Sequence, residues 1–410
     1  MLLPATIFEG YDITIFHLCT PDLASAFHLS DATVGVMAAI VRAGGILSFF
    51  VVTLADRFGR KPMLGYTVLG YGLFTLLTAI SSGAVSFTVF QSVAQVFLAA
   101  EFGIAVTVIS EEFPDAQRGR AVALLLVAAF LGVAAAGQLY GPMAVSGWGW
   151  RGMYVLGVAP LILIAGIRRW MHETARFTAG EKERRARGAP RPGLFEPLRN
   201  CLAPMRGPWA GRMILIATLC NCVGLVGGPV ISFFSLYVRR DHGWTAAQTG
   251  TAFVIAYLAG SCGTLLSGFL LDRIGRRTTA ALFFVVAGGA AATLFQSTRY
   301  ATIYVALSVT MFAYQGARTA TAALGAELFP TSSRATGFCL TVQVLGQLGW
   351  TLAPLAVGLL SQPLHGLGNA AAIFAAGPIV GAVIALMLVP ETRGAALEEL
   401  SPERAGVLDH

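Results

Sequence analysis

Charged side chains interrupt the long apolar segments of this sequence, and they are the residues best placed to carry chemistry. A charge at the centre of a bilayer costs about 2.5–3.5 kcal/mol on insertion scales, so a charge retained there is a functional candidate. Counting the helical rise from the expected cytoplasmic end of each segment places these side chains in one central layer of the membrane. The candidates are Glu9, Asp12, Arg42, Glu101 and Arg318.

The two acidic residues of the first apolar segment have a spacing that suits proton transfer. Glu9 and Asp12 are three positions apart and therefore share one face of a helix. Two carboxylates that close repel each other, so one of them holds a proton more readily than an isolated carboxylate does. We expect a proton-coupling site at Asp12. For Glu9 we expect either the same role or a contact with a linker arginine at the cytoplasmic mouth.

Glu101 and Arg318 occupy nearly equivalent places in the two halves of the chain, because Ala317 lies 216 positions after Glu101. Arginine binds a carboxylate through two parallel hydrogen bonds, which lysine cannot do. Arg318 is therefore a candidate to hold a substrate carboxylate while Glu101 carries a proton. The alternative is a structural ion pair between them that satisfies two buried charges.

The remaining candidates have weaker patterns. Arg42 has no charged counterpart in the second half, so it is either an ion-pair partner of Asp12 or Glu101 or a substrate contact. His17 lies five positions after Asp12, on another helix face, and suits either proton relay or packing. Two further side chains could supply polar or stacking contacts to a substrate, or serve packing: Tyr314 and Gln315.

Composition places these residues in a membrane protein. Of 410 residues, 56% are hydrophobic and 12% are charged, against about 25% charged in a soluble domain. The apolar runs are continuous and near the length of a spanning helix, which favours helices over a barrel. Twelve spans are predicted, near 4–27, 34–54, 64–81, 86–110, 120–143, 151–170, 210–238, 247–271, 279–297, 301–325, 336–360 and 368–389.

The polar stretch 171–209 divides these spans into six and six, and reads as a linker. We expect an N-terminal bundle over 1–170, a C-terminal bundle over 210–392 and a tail over 393–410. Most Lys and Arg residues fall in loops on one side, which predicts cytoplasmic termini and explains the net charge of +7 without nucleic acid. The six cysteines are dispersed and show no metal-binding spacing.

Three ordered pairs of motifs repeat along the chain and indicate a duplicated half. The motif Asp-Arg-x-Gly-Arg-(Lys/Arg) occurs twice, 216 residues apart. The segments EEFPDAQRG and ELFPTSSRA follow at the same offset, and HETAR and PETR lie 218 residues apart. The motif residues are Asp56, Arg57, Gly59, Arg60, Glu111 and Arg118 in the first half, and Asp272, Arg273, Gly275, Arg276, Glu327 and Arg334 in the second.

These loop motifs suit a conformational switch. Glycine permits a tight turn, aspartate can cap a helix N-terminus, and the arginines can bridge to Glu111 or its neighbour Glu112. Such a cluster can form in one conformer and break in another. The alternative is that the charges of these loops only determine the topology of the chain in the membrane. Gly224, Gly227 and Gly228, followed by Pro229, predict that the seventh span bends or unwinds.

The motifs resemble those of the major facilitator superfamily of secondary transporters. ADRFGRK and LDRIGRR resemble its signature between helices 2 and 3 and helices 8 and 9, whose leading glycine is present as Gly268 but replaced by Val52 in the first copy. FEGYD resembles the acidic helix 1 motif of aromatic acid:proton symporters and related organic-ion (synaptic-vesicle-protein-like) carriers. EEFPDAQRGR, HETARF and VPETRG resemble motifs shared with sugar porters, but the sugar-porter Gln-Gln pair and Trp motif are absent.

The resemblance implies an all-α fold of two pseudo-symmetric six-helix bundles that works by alternating access around a central cavity. The expected function is proton-coupled transport of a small organic acid or related metabolite. Efflux of amphipathic or cationic compounds and sugar transport remain alternatives, and import is not distinguished from export. We expect a monomeric protein of a bacterial-type inner membrane. Its partners are the substrate, protons and lipid, with no nucleic acid, catalytic residue, metal or cofactor.

Overall fold

The helices of the N-terminal half follow one another with short connections in the computed structural model. The structure describes residues 2–112, 115–168, 210–327 and 339–391, together with a few isolated linker positions. The first six helices are α1 (Leu2–Ala26), α2 (Asp31–Phe58), α3 (Arg60–Ala79), α4 (Ala84–Glu112), α5 (Asp115–Val145) and α6 (Gly149–Arg168).

The C-terminal half repeats this order until its last two spans, which are irregular. Four long helices come first: α7 (Ala210–Asp241), α8 (Ala246–Ile274), α9 (Arg276–Gln296) and α10 (Tyr300–Glu327). The eleventh span has a π-helical turn, Cys339–Val344, and a 3-10 turn, Leu345–Gln347, before α11 (Leu348–Leu360). The twelfth is divided at Ala375 into α12 (Leu367–Phe374) and α13 (Ala376–Leu388).

The predicted twelve-span, all-helical architecture is confirmed in these ranges. Most helices extend a few residues beyond the predicted apolar runs, because polar and glycine residues continue a helix past the hydrocarbon boundary. Within the described residues, nine helical spans are long and apolar enough to cross a membrane, judged by length and composition alone. Contacts group the helices into two units. One comprises α1–α6 together with Ser235–Val254, and the other the remaining helices.

The segment Ser235–Val254, called the α7–α8 hairpin below, is held on the first unit by polar contacts. Arg239 forms an ion pair with Asp22 and also contacts the Tyr140 hydroxyl, which donates to Asp22 at 2.8 Å. Arg240 forms a second ion pair, with Asp31 at the start of α2. Two adjacent arginines thus tie the end of α7 to α1, α2 and α5.

Small residues let the hairpin approach α5 closely. A Cβ added to Gly250 would lie 2.0 Å from the carbonyl oxygen of Gly137, and one added to Gly141 would lie 2.8 Å from the Ala247 side chain. Such distances require backbones in direct contact, which glycine and alanine allow between membrane helices.

The duplicated loop motifs adopt the same backbone turn in both halves. Gly59 ends α2 and begins α3 with φ of 104°, and Gly275 takes the matching place before α9 with φ of 91°. An L side chain at either φ would be strained, so the glycine of each motif is required for the turn.

Each turn is closed by the glutamate of the third repeated motif. Glu173 accepts a hydrogen bond from the Arg60 backbone amide at 3.0 Å, and Glu391 accepts one from the Arg276 amide at 2.9 Å. A carboxylate at a helix N-terminus satisfies free amides and the positive end of the helix dipole. The expectation that aspartate would cap is therefore wrong in the second half, where Asp272 is mostly exposed.

α7 was predicted to bend or unwind, and it does not unwind in this structure, because it is one continuous helix from Ala210 to Asp241. Its glycines serve close packing: a Cβ added to Gly224 would lie 2.7 Å from the Trp350 amide nitrogen. Irregular backbone occurs instead in the eleventh span, between Cys339 and Gln347.

Candidate functional site

In the first unit, Asp12 is enclosed by helices on every side. Asp12 is 1% exposed, and a Cβ added to Gly157 of α6 would lie 3.3 Å from the Asp12 Oδ1 atom. On the neighbouring turn, Gly10 packs so tightly on α5 that an added Cβ would lie 1.9 Å from the Ala129 carbonyl oxygen. The absence of a side chain at Gly157 therefore creates the space that the Asp12 carboxyl group occupies.

The Asp12 carboxyl group lies near hydroxyl groups but completes no hydrogen bond. The Tyr71 hydroxyl is close to it, and Tyr154 lies near it on α6. Neither Asp12 oxygen has a hydrogen-bond partner among the residues that the structure describes, and the two tyrosine hydroxyls are likewise buried without one. An ionised carboxylate in such surroundings is costly, whereas a protonated one is tolerated.

Two further acids accompany Asp12 inside this unit. Glu9 is 9% exposed and Glu101 is 4% exposed, and the two side chains are close enough to interact electrostatically. Like charges at short range in a membrane-spanning bundle favour a state in which one carboxyl group is protonated. The sequence had placed both acids at one depth, and the structure brings them together.

Arg42 and His17 form a pair in the same unit. The Arg42 Nη2 atom lies 3.1 Å from His17 Nε2, and His17 is 1% exposed. Because arginine only donates, His17 Nε2 accepts, which leaves the proton of a neutral ring on Nδ1. No described group hydrogen bonds the Asp12 oxygens, so an ion pair of Arg42 with Glu101 and a contact of Arg42 with substrate stay predictions.

The second unit contains an aromatic and cationic cluster instead of buried acids. The Tyr314 and Trp350 rings make an edge contact with centroids 5.6 Å apart. The exposed Arg318 guanidinium lies 5.8 Å from the Tyr314 ring centroid and contacts the Gln315 side-chain oxygen at 3.2 Å. We call Tyr314, Gln315, Arg318 and Trp350 the aromatic cluster; it offers a stacking surface and a cation, which suits a planar organic anion.

α7 approaches the aromatic cluster without a side chain between them. A Cβ added to Gly227 would lie 2.4 Å from the Tyr314 ring and 2.8 Å from the Trp350 ring. The close approach of α7 therefore fixes the position of both rings.

Sequence reasoning missed several residues that contribute to these clusters. Tyrosine and tryptophan in an apolar span are ordinary packing residues, so nothing in their spacing identified them. Asn221 is a single amide in the seventh span, and the absence of a sugar-porter Gln-Gln pair gave no reason to single it out. The missed residues are Tyr71, Tyr154, Gly157, Asn221 and Trp350.

The loop motifs form an ion-pair cluster in the second half. The Arg276 guanidinium forms an ion pair with Glu327 at 2.9 Å and contacts Asp272 at 3.4 Å. It is the second-half counterpart of the bridge that is predicted to Glu111 or Glu112 in the first half. The side chains of Asp56, Glu111 and Arg118, and all of Arg334, lie outside the described residues.

Among the described residues, no cluster of three or more His, Cys, Asp and Glu side chains is suited to a metal ion. The polar clusters of both units are instead built from single acids, arginines, tyrosines and amides.

Comparisons with known proteins place this architecture in a family. The sequence profile of the Major Facilitator Superfamily matches residues 2–354 and 214–407. The chain is 28% identical over 388 residues to the 3-(3-hydroxy-phenyl)propionate transporter of Escherichia coli K12, covering 93% of this chain and 91% of that protein. It is 25% identical over 350 residues to the 4-hydroxybenzoate transporter of Pseudomonas putida, covering 80% and 78%.

The fold is also that of solved transporter structures. The crystal structure of a D-xylose-proton symporter superimposes with a TM-score of 0.78 at 18% identity, covering 96% of this chain and 97% of that one. At this identity the likeness concerns the fold alone. With the family profile matching most of the sequence, the chain belongs to the Major Facilitator Superfamily, as a multi-pass membrane transporter and not an enzyme.

Proposed function

We propose that this protein carries a small organic acid, and most readily an aromatic one, across a bacterial inner membrane together with protons. The cycle is alternating access of the two six-helix halves. Asp12 is the proton-coupling residue, and the aromatic cluster of the second unit binds the substrate. Both chain termini lie in the cytoplasm in this proposal, as the distribution of Lys and Arg predicts.

The observation that carries the proposal is the Asp12 carboxyl group. It is 1% exposed in a membrane-spanning helix and has no hydrogen-bond partner among the described residues. A carboxylate in that position is stabilised by taking up a proton, and a carboxyl group that releases the proton must gain water or a cation. A change of surroundings during the transport cycle would therefore load and unload the proton.

The substrate class is supported by the aromatic cluster. Arg318 is exposed within the structure and can form two parallel hydrogen bonds to a carboxylate. Tyr314 and Trp350 supply ring faces and edges beside it. The named substrates of two relatives, 3-(3-hydroxy-phenyl)propionate and 4-hydroxybenzoate, combine one carboxylate with one hydroxylated ring, which this cluster would accommodate.

Glu101 and Glu9 have a supporting role in the proposal. Their proximity makes one shared proton favourable, and this proton can equilibrate with Asp12 on the same helix as Glu9. His17 and Arg42 hold α1 against α2 through their hydrogen bond. That contact keeps the acidic face of α1 in a fixed orientation.

The loop motifs set the balance between conformers in this proposal. The Arg276–Glu327 ion pair and the Glu391 hydrogen bond at the start of α9 join α8, α9, α10 and the end of the last span. Breaking this cluster releases several contacts at once, so it suits a switch between two discrete states. Glu327→Gln is expected to change the conformer ratio more than the substrate affinity.

Uptake by purified protein in liposomes tests the proposal. Radiolabelled 4-hydroxybenzoate and 3-(3-hydroxy-phenyl)propionate are compared with D-xylose and with a permanently cationic dye, each with and without an inward proton gradient. Protein-free liposomes correct for passive entry of the neutral acids. We expect accumulation of the aromatic acids that depends on the gradient, and background values for the sugar and the dye.

The other outcomes distinguish the alternatives. Gradient-driven movement of the dye in place of the acids would identify an efflux carrier of cations. Accumulation of D-xylose would identify a sugar carrier. Acid transport that is unaffected by the gradient would retain the substrate class and reject proton coupling.

A further inference from the structure

The eleventh span is broken at membrane depth, and the break faces α7. Its π-helical turn, Cys339–Val344, and its 3-10 turn, Leu345–Gln347, immediately precede the α-helix that carries Trp350. Irregular turns inside membrane helices persist only where other groups satisfy the backbone, and they concentrate at functional sites. The structure must therefore supply hydrogen-bond partners for this break.

One side chain of α7 supplies two of them, at the C-terminal end of the break. The Asn221 amide nitrogen donates to the Leu345 carbonyl at 3.1 Å, and its amide oxygen accepts from the Gly349 backbone amide at 2.5 Å. Residues 345 and 349 are the acceptor and donor that a regular α-helix would pair with each other. The Asn221 amide thus inserts at one rung of the hydrogen-bond ladder, which is a recognised cause of helix distortion.

The Asn221 side chain is itself fixed, and glycines bring it close to the break. Its amide nitrogen also donates to the Ala217 carbonyl at 2.8 Å, one turn back in α7. A Cβ added to Gly349 would lie 2.5 Å from the Asn221 carbonyl oxygen, and one added to Gly346 would lie 2.6 Å from the Cys220 side chain. The close contact of Asn221 with Gly349 therefore lies directly beside Trp350 in the chain.

We propose that Asn221 is a positioning residue for the substrate site: by binding both Leu345 and Gly349 it maintains the break in the eleventh span and sets the orientation of Trp350 against Tyr314. It does not touch the substrate in this proposal. Trp350 follows Gly349 directly. Loss of the hydrogen bond from the Gly349 amide to Asn221 therefore rotates the indole out of its edge contact with Tyr314. The inference rests on the proposed function for the identity of the ligand.

Two variants and one matched control test this role. Asn221→Ala removes both contacts to the break, and Asn221→Ser, which is less prone to misfold, retains one hydroxyl that can replace only part of the amide. Asn369→Ala is the control, because Asn369 also donates to a backbone carbonyl, that of Leu364 at 2.9 Å, in an exposed part of the same unit.

Two readouts are combined on purified protein. Amide hydrogen exchange of peptides covering 339–350 reports the two hydrogen bonds from Asn221 to the break and needs no ligand. Binding of 4-hydroxybenzoate and of benzoate, which lacks the ring hydroxyl, reports the site. We expect about a tenfold change in exchange and about a tenfold loss of affinity for both acids in Asn221→Ala, the effect of roughly one buried hydrogen bond. Asn221→Ser should be intermediate and Asn369→Ala unchanged.

Each contrary result is decisive. Altered exchange with unchanged affinity would reduce Asn221 to a structural residue, and lost affinity with unchanged exchange would make it a direct ligand contact. A loss confined to 4-hydroxybenzoate would indicate recognition of the ring hydroxyl by Asn221 itself. If wild-type protein bound neither acid, the proposed function would fail. Unchanged exchange in Asn221→Ala would separately reject the claim that Asn221 maintains the break.

Discussion

The two halves of this transporter share their loops and differ in their interiors. In the first unit three acids are buried among helices beside Arg42, with Asp12 and Glu101 both under 5% exposed. In the second unit the matching layer contains an exposed arginine beside two aromatic rings, and none of its described acids is buried. Duplication supplied one scaffold, and the interior of each copy acquired a different chemistry.

The shared features explain why this divergence was possible. Each half keeps a glycine turn with positive φ and a glutamate that accepts the following backbone amide, Glu173 in one case and Glu391 in the other. These contacts are made in the loops and do not depend on the side chains that line the helices. A substitution inside one bundle therefore leaves the loop machinery intact, and proton and substrate handling can be assigned to separate bundles.

The largest effect is expected from Asp12→Asn, which removes the proton-binding group of the first unit and keeps its size. Accumulation driven by a pH gradient should fall to background, while counterflow exchange should be partly retained because exchange needs no net proton movement. Paired uptake and counterflow assays measure this. The control is Asp241→Asn at the exposed end of α7. Equal loss of both activities in Asp12→Asn would instead indicate a structural role.

A change in the second unit should affect binding and spare coupling. Arg318→Lys keeps the charge and loses the planar fork, so KM for aromatic acids should rise about ten- to a hundredfold, the value of one charge-assisted hydrogen bond. The residual uptake should still follow the pH gradient. Arg299→Lys, near the start of the same helix, serves as the matched control. An unchanged KM in Arg318→Lys would remove Arg318 from the substrate site.

The twelve spans and the duplication were predictable because both depend on patterns that recur along the chain. Apolar length determines a membrane helix, and the repeated motifs need no knowledge of contacts. The partners of the charged residues were not predictable, since a helix face can be inferred from spacing but the helix opposite it cannot. Asp12 against Gly157 and Arg42 against His17 are contacts of this kind.

The helix break shows a second limit of sequence reasoning. Three glycines and a proline in α7 predicted unwinding there, yet α7 is continuous and the break lies in the eleventh span. Glycine lowers helix propensity, but in a membrane it more often permits close approach of a neighbour. The Leu345 carbonyl in these turns accepts a hydrogen bond from the Asn221 amide, which comes from a segment more than a hundred residues away.

Adding one methyl group to each bundle compares how tightly the two sites are packed. Gly227→Ala places a Cβ 2.4 Å from the Tyr314 ring, whereas Gly157→Ala places one 3.3 Å from Asp12 Oδ1. Overpacking should cost about 1–3 kcal/mol in Gly227→Ala and less in Gly157→Ala. Thermal unfolding measures the difference, with Gly289→Ala as control because open space surrounds that position. A smaller loss in Gly227→Ala than in Gly157→Ala would contradict the packing described.

The smallest effects are expected at the α7–α8 hairpin. Arg239→Ala removes contacts to both Asp22 and Tyr140, whose side chains are largely shielded, and should lower stability by about 1–3 kcal/mol. Arg240→Ala removes a more exposed ion pair and should cost about 0–1 kcal/mol. Thermal melting of the two variants at low and high salt gives the comparison. Equal losses that vanish together at high salt would show that shielding makes no difference.

The central claim is that substrate and proton are handled in different bundles of one carrier, and internal pH tests it most directly. Liposomes containing pyranine and purified protein receive external 4-hydroxybenzoate, with protein-free liposomes as the reference for passive entry. We predict protein-dependent acidification in the wild type, none in Asp12→Asn despite retained binding, and acidification restored at higher concentrations of acid in Arg318→Lys. Undiminished acidification in Asp12→Asn would contradict the account.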